Sequence, residues 1–360
     1  MGSRVRVPSA PQKATQNELL FCYYTMKQHY TIPVFIPEKA CPFRCIYCNQ
    51  YTIADTVQVS APSEIKETID IYLKTIPIHG IKKVGFFGGS FTGMSIEEQN
   101  QYLDIVLPYI EKGDINSIQL STRPDYISEE ILDNLKRYNV DTIELGAQSL
   151  DENVLLRSGR GHTVGDVERS AELILKKGFR LGLQMMIGLP EDTFEKSIQT
   201  ARRIVELGAH CTRIYPTLVI KDTSLEVMHK SGAYNPLSLT EAVEWSKALF
   251  RLFTKHNVHI LRMGLHPSEG LISGESLLAG PFHVSFKELV LTSFWKDLLN
   301  DTLQGKTGKK LTIEVASQAI NAAIGYHASN KKTLQERFKE VYFHTNDNLD
   351  NYTYNYSIEV

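Results

Sequence analysis

The feature that most constrains the fold is an alternation of short β-rich runs with longer amphipathic runs, which begins near residue 30. Six strand–helix repeats imply parallel strands joined by right-handed crossovers. A closed eight-fold barrel usually needs about 250 residues, whereas the six units here occupy residues 30–257. The sequence therefore predicts an α/β fold, a partial (β/α)6 TIM-type barrel with a small C-terminal α/β extension. Functional loops should meet at the C-terminal ends of its strands.

The individual elements follow from the periodicity of the apolar residues. Strands are predicted at 31–37, 82–88, 117–121, 142–146, 180–188 and 212–219, and a seventh run at 257–265 is expected to extend the edge of the sheet. Helices are predicted at 62–76, 95–111, 127–138, 163–177, 192–207 and 239–256. Ser63, Ser95 and Ser128 are the expected N-caps of the first three helices.

The character of the sequence changes along the chain and indicates three segments, and its net charge limits how it could bind nucleic acid. We expect a leader or N-terminal extension at 1–29, the barrel at 30–270 and the extension at 271–360. The formal net charge is −2, so nucleic acid would have to bind through a local basic patch. No run reaches the roughly 18 apolar residues that a membrane span needs. The sequence predicts a cytoplasmic protein that does not enter a membrane.

The strongest chemical motif is a cysteine triplet directly after the first predicted strand. Cys41, Cys45 and Cys48 fall within eight residues, in the string CPFRCIYC. Three thiolates on one loop can hold three irons of a [4Fe–4S] cluster and leave the fourth iron without a protein ligand. The alternative is structural zinc, which normally takes four ligands, and Cys22 and Cys211 do not form a second pair. So few cysteines also indicate a reducing compartment rather than a disulfide framework.

Further motifs follow the later strands. The string GFFGGSFTGM contains Gly88 and Gly89, which let the backbone approach a ligand closely because they lack a Cβ. The strings STRPDYI, ELGAQSL, RSGRGHT and QMMIGLPE place polar groups where the next strands end. His162, in the third of these strings, either donates to a substrate or caps the helix that follows it.

In the order of these motifs, the sequence resembles the radical S-adenosylmethionine superfamily over about residues 30–270. The resemblance implies that the triplet binds a [4Fe–4S] cluster, that S-adenosylmethionine chelates its open iron, and that reductive cleavage yields a 5′-deoxyadenosyl radical. It also implies which residues contact the cofactor. These are Tyr47 near adenine, Gly88, Gly89 and Ser90 at the methionine amino group, Ser121, Arg123 and Gln148 at ribose or carboxylate, Arg160 at the carboxylate, and Ile187 and Gly188 at adenine.

Within that superfamily, STRPDYI, ELGAQS with RGHT, and RIYPTLVIKDTSLE resemble the branch of the Elongator catalytic subunit, which modifies wobble uridine in tRNA. Only about 90 residues follow residue 270, too few for the acetyltransferase domain of that branch. The resemblance implies RNA, such as tRNA, as the substrate and an external electron donor of the flavodoxin or ferredoxin type. Two alternatives are a radical enzyme acting on a small molecule such as a tetrapyrrole, as in the coproporphyrinogen-oxidase branch, and a module that has lost its chemistry.

The C-terminal extension carries a weaker resemblance. The string AAIGYHASNKKTLQERF resembles the helix–loop–helix of a KH module, with Gly325 at the first glycine of its Gly-x-x-Gly loop and Ser329 near the second. Several lysines nearby would add positive charge. The alternative is a plain α/β cap with a solvated basic helix.

Overall fold

The computed structural model describes residues 5–7, 29–36, 45–49 and 61–360. Most of the predicted leader, together with Cys22 and Cys41, lies outside these residues. The chain divides into two compact units, and the larger contains the described residues from 29 to 242 together with Leu252–Val284. The smaller unit contains residues 5–7, Val243–Arg251 and Ser285–Val360.

The strands of the described residues are numbered in chain order. They are β1 (Val5–Val7), β2 (His29–Phe35), β3 (Ile81–Phe87), β4 (Ser117–Thr122), β5 (Val140–Gln148), β6 (Arg180–Ile187), β7 (Cys211–Pro216), β8 (Val219–Ile220), β9 (His259–Met263), β10 (Leu277–Ala279), β11 (Gly308–Val315), β12 (Phe338–Thr345) and β13 (Tyr354–Glu359).

The α-helices of the same residues are numbered likewise. They are α1 (Pro62–Thr75), α2 (Ile96–Glu111), α3 (Glu129–Arg137), α4 (Glu152–Arg157), α5 (Val164–Lys176), α6 (Phe194–Glu206), α7 (Ser224–Lys230), α8 (Leu239–Lys255), α9 (Glu269–Ser273), α10 (Phe286–Leu303), α11 (Ile320–Ile324) and α12 (Ser329–Gln335). None of these described helices has the length and apolar character needed to cross a bilayer.

The larger unit is built on one parallel sheet with the strand order β2-β3-β4-β5-β6-β7-β9. The predicted partial α/β barrel is therefore confirmed, and the seventh strand joins its edge. Alternate residues of β5 point to opposite faces. Ile143 and Leu145 are fully buried among apolar residues, whereas Glu144 faces the other way and meets Arg213 of β7.

Most predicted helices begin where the capping residues indicate. The side chains of Ser95 and Ser128 accept hydrogen bonds from the first turns of α2 and α3, as expected. The cap at Ser63 is wrong, because α1 begins one residue earlier, at Pro62. Its N-cap is Ala61, whose N–H donates to the Glu64 carboxylate at 2.8 Å. Proline suits this first position because it has no N–H to leave unsatisfied.

The last predicted strand of the barrel ends early. Strand β7 stops at Pro216, since both the N–H and the hydroxyl of Thr217 donate to the carbonyl of Ile187, at 2.9 and 2.8 Å. The chain then forms β8, which pairs antiparallel with β10. This pair and the short helices α4, α7 and α9 are absent from the sequence prediction, because each is too short to show a clear period.

The smaller unit has a mixed sheet with the order β1-β13-β11-β12. Strands β11 and β12 are parallel and are joined through α11 and α12, so the expected strand–helix–loop–helix–strand order is present. Gly325 has a φ of +87°, and a Cβ there would lie 2.7 Å from the Ser329 hydroxyl. Glycine thus permits the close approach of the two helices. The KH function of this loop stays a prediction.

Candidate active site

The cysteine loop is described from residue 45 to residue 49. Cys45 is buried and Cys48 is half-buried, and the N–H of Cys48 donates to the carbonyl of Cys45 at 3.0 Å. The third predicted ligand, Cys41, lies outside the described residues. Two of the three thiols therefore lie at one turn after β2, as the sequence predicts.

Two neighbouring segments hold this loop in place. The N–H of Ile46 donates to the carbonyl of Ser158 at 3.2 Å, and the Ile46 carbonyl accepts from the N–H of Leu225 at 2.8 Å. The side chains of Ile46 and Tyr47 pack against an apolar cluster that includes Leu225 and Tyr234. The unpredicted segment of β8 and α7 thus supports the cysteine loop.

Arg160 connects the cysteine loop to the end of β5. Its side chain donates through one terminal nitrogen to Cys45 Sγ at 3.3 Å and through the other to the carbonyl of Gly146 at 2.6 Å. Burial acts to lower the pKa of Arg160, but the neighbouring Tyr47 and Cys45 outweigh it and raise the pKa. The guanidinium therefore stays charged beside the sulfur.

The end of β5 has an unusual backbone. Gln148 has a φ of +65°, in the left-handed region that glycine favours. Gly146 comes two residues earlier, and a Cβ there would lie 2.7 Å from Arg160 and 2.9 Å from the Gln148 amide nitrogen. Gly146 is therefore needed for these two side chains to meet over the strand. Gly146 is not among the predicted site residues, although its position in the string ELGAQSL, close to Glu144 and Gln148, could have indicated it.

His162 is buried and neutral. Its Nε2 lies 3.2 Å from the carbonyl of Ala147, which can only accept, so Nε2 carries the proton and Nδ1 is an acceptor. Burial and the charges of Arg160 and Arg123 lower the pKa of His162 to about 3. The Nδ1 atom has no partner among the described residues. The two roles predicted for this residue, donation to a substrate and capping of the following helix, stay predictions.

Unpaired buried polar atoms concentrate around these segments. Among the described residues, eight buried side-chain atoms lack a hydrogen-bond partner. Five of them belong to the segments just described, namely Tyr47 Oη, Gln148 Oε1, Ser158 Oγ, Arg160 Nε and His162 Nδ1. Buried polar atoms are normally satisfied, so such a concentration indicates a place where a polar ligand binds. The two acceptors, Gln148 and His162, suit ligand hydroxyl or ammonium groups, and Arg160 Nε suits a carboxylate.

The glycine loop lies after β3, beside the end of β4. Gly88 has a φ of +96°, a conformation that a residue with a Cβ rarely adopts, and Gly89 follows it. Ser90 is buried, and the hydroxyl of Thr92 lies 2.6 Å from that of Thr122. The loops after β3 and β4 are thus tied together, as expected for parallel strands whose ends share one edge.

Two predicted cofactor contacts at the end of β4 have partners within the chain. The Ser121 hydroxyl accepts from the amide of Gln184 at 3.1 Å. Arg123 is 2% exposed and makes a bidentate ion pair with Asp125, with both nitrogen–oxygen distances at 2.9 Å. The roles of Ser121 and Arg123 toward a cofactor stay predictions.

The loop after β6 is fixed by two side chains outside the predicted site, the half-buried Asp192 and the buried Tyr234. The carboxylate of Asp192 accepts from Gly188 N–H at 2.8 Å and from the Ser197 hydroxyl at 2.8 Å. The Tyr234 hydroxyl donates to the carbonyl of Gly188 at 2.6 Å. The carbonyl of Ile187 also has its partner within the chain, Thr217, and the adenine contact at Ile187 and Gly188 stays a prediction.

A second set of polar side chains lies on one face of the parallel sheet, opposite the face that carries the buried apolar residues. The Glu144 carboxylate is 1% exposed and accepts from Arg213 at 2.5 and 3.0 Å and from Gln184 at 3.1 Å. The Arg213 guanidinium also lies 5.0 Å from the centre of the Phe87 ring. We call Ser121, Glu144, Gln184 and Arg213 the polar-face network. Within this network, the buried Glu144 carboxylate forms an ion pair with the Arg213 guanidinium of the same chain.

Comparisons with known proteins agree with this picture. The model of the Radical SAM superfamily matches residues 36–204, and that of the Radical_SAM C-terminal domain matches residues 209–296. An uncharacterized protein of Methanocaldococcus jannaschii is 30% identical over 57% of this chain and 61% of its own length. The tRNA uridine(34) acetyltransferase of that organism is 26% identical over 58% of this chain and 46% of its own length.

A solved structure shares the fold. Elp3 from Methanocaldococcus infernus, with residues 1–46 deleted, superimposes with a TM-score of 0.59 at 21% identity. The match covers 76% of this chain and 64% of that chain. This chain therefore spans less than two thirds of each of these relatives.

Proposed function

Because this chain belongs to the radical S-adenosylmethionine superfamily of enzymes, we propose that Cys41, Cys45 and Cys48 hold a [4Fe–4S] cluster and that the enzyme cleaves S-adenosylmethionine reductively. The observation that carries the proposal is the set of unpaired buried polar atoms grouped around Cys45. These atoms supply acceptors and a donor at the edge where the loops of the parallel strands meet.

When bound, the cluster and the sulfonium cofactor supply the reductive cleavage of a C–S bond, which yields a 5′-deoxyadenosyl radical. The residues of the chain bind and orient. Gln148 Oε1 and His162 Nδ1 accept from ribose hydroxyls or the amino group, and Arg160 Nε donates to the carboxylate. Because His162 remains neutral down to about pH 3, it stays an acceptor throughout the working range.

The test is anaerobic reconstitution of the full chain with iron and sulfide, followed by dithionite and S-adenosylmethionine. We expect 5′-deoxyadenosine from the wild type, and neither a stable cluster nor product from Cys45→Ala or Cys48→Ala. Cys211→Ala is the matched control, because this thiol is buried on β7 and its pKa is raised to about 12 by burial and by Glu144. Product that survives in Cys45→Ala, or bound zinc without iron and sulfide, would contradict the proposal.

For the substrate, the proposal is RNA, with tRNA as the first choice. It is supported by the similarity to proteins named tRNA uridine(34) acetyltransferase and Elongator complex protein 3, and human Elongator complex protein 3 is 36% identical over 35% of this chain. A flavodoxin or ferredoxin is the proposed electron donor.

The substrate is tested by adding bulk tRNA to the reconstituted enzyme. We expect tRNA to co-purify with the protein, to increase the yield of 5′-deoxyadenosine and to gain a modified nucleoside detectable by mass spectrometry. No retention of RNA, together with stimulation by a tetrapyrrole, would favour the small-molecule alternative instead.

A further inference from the structure

Arg160 is a buried cation that contacts the cysteine loop. It is 8% exposed, and the partners of its terminal nitrogens are Cys45 Sγ and the carbonyl of Gly146. In the part of the chain that the structure describes, no carboxylate pairs with it. Two other arginines of the site region differ, because the buried Arg123 pairs with Asp125 and the half-buried Arg213 pairs with Glu144.

A buried guanidinium without a carboxylate needs another anion, because desolvation of its charge is costly. A thiolate at Cys45 would supply the missing negative charge. The same thiolate form is the one that binds iron.

We propose that Arg160 is a positioning residue that sets the reduction potential of the cluster through its hydrogen bond to Cys45. This inference rests on the proposed function. Hydrogen bonds and positive charge at a ligating sulfur stabilise the reduced, more negative form of an iron–sulfur cluster. Arg160 therefore raises the potential and makes the cluster easier to reduce for an external donor.

This role is separable from the predicted contact between Arg160 and the cofactor carboxylate. The hydrogen bond to Cys45 does not involve S-adenosylmethionine, so its effect on the potential persists when the cofactor is left out. A contact with the carboxylate alone would change cofactor affinity and leave the potential of the cofactor-free protein unchanged.

The experiment is a redox titration of the reconstituted full chain without S-adenosylmethionine, followed by electron paramagnetic resonance. For Arg160→Gln we expect a lower midpoint potential, by at least a tenfold change in the one-electron equilibrium, which is about 59 mV. Arg160→Lys keeps the charge but is too short to hold both acceptors, so we expect a smaller shift in the same direction. Arg157→Gln is the control, since that side chain is 58% exposed and lies three residues away.

Each outcome decides one question. A cluster-loaded Arg160→Gln protein with the potential of the wild type overturns the inference. If that variant does not retain a cluster, an unchanged potential in Arg160→Lys overturns it. A wild type that assembles no cluster overturns the proposed function itself, and the inference with it.

Discussion

The polar-face network and the site beside Cys45 both contain buried polar atoms. They differ in whether those atoms have hydrogen-bond partners within the described chain. In the network, Glu144 receives hydrogen bonds from Arg213 and Gln184, and the charges cancel within the chain. Beside Cys45, five buried atoms have no partner among the described residues. We infer from the difference that the first region stabilises the fold, and we propose that the second is completed by a ligand.

The largest effect should come from breaking the network. Arg213→Met leaves the Glu144 carboxylate buried without its cation, which typically costs about 3–5 kcal/mol of unfolding free energy. Chemical denaturation of the anaerobic apoprotein measures this cost. The double variant Glu144→Leu/Arg213→Met should lose less than the sum of the two single changes, because it leaves no unpaired charge. Additive losses would show that the two side chains do not act as a pair.

Asp192 is an intermediate case, because neutral donors satisfy its carboxylate and, among the described residues, no arginine pairs with it. Burial raises the pKa of Asp192 to about 6, despite hydrogen bonds from Ser197 and Gly188. The folded form therefore binds a proton more tightly than the unfolded chain does. The contribution of Asp192 to the free energy of unfolding is fully present below about pH 4, and it is lost as the pH rises through about 6.

The corresponding variant is Asp192→Asn. Between pH 4.5 and 7.5 the wild type should lose about 1–2 kcal/mol more stability than this variant, as followed by thermal unfolding at several pH values. Equal pH dependence in the two proteins would show that Asp192 titrates normally.

The smallest effect on stability should come from the site beside Cys45. Gln148→Met removes a buried acceptor that has no partner among the described residues, so the apoprotein should change by no more than about 1 kcal/mol. Binding of S-adenosylmethionine should weaken about tenfold, because one hydrogen bond to the ligand is lost, equivalent to about 1.4 kcal/mol. Calorimetric titration measures the affinity. A large loss of stability with unchanged affinity would reverse the comparison between the two regions.

Much of the larger unit could be predicted from the sequence, because the order of apolar and amphipathic runs determines the order of parallel strands. Similarly, the motifs at 85–94 and 144–150 follow β3 and β5, whose ends meet at one edge. Partners distant in sequence could not be predicted. Arg160 and Cys45 are 115 residues apart, and Arg213 and Glu144 are 69 apart, so no local periodicity encodes either pair.

The early end of β7 was unpredictable for the same reason. It depends on a carbonyl of β6 that accepts two hydrogen bonds from Thr217, and the apolar run itself continues to Val219. The cap at Ser63 is a different case. There the choice of N-cap between Ala61 and Ser63 depends on Pro62, which favours the first helical position, and a preference for serine at the N-cap does not include this effect.

The bracing of Ile46 from two sides has a consequence for engineering. Its backbone connects two segments, because its N–H donates to the carbonyl of Ser158 and its carbonyl accepts from the N–H of Leu225 at the start of α7. A cysteine loop transplanted from another scaffold would arrive without either contact. A graft should therefore carry the cysteine loop, the segment at Ser158 and the start of α7 together. An insertion between Cys45 and Cys48 should be tolerated far less well than one in an exposed turn.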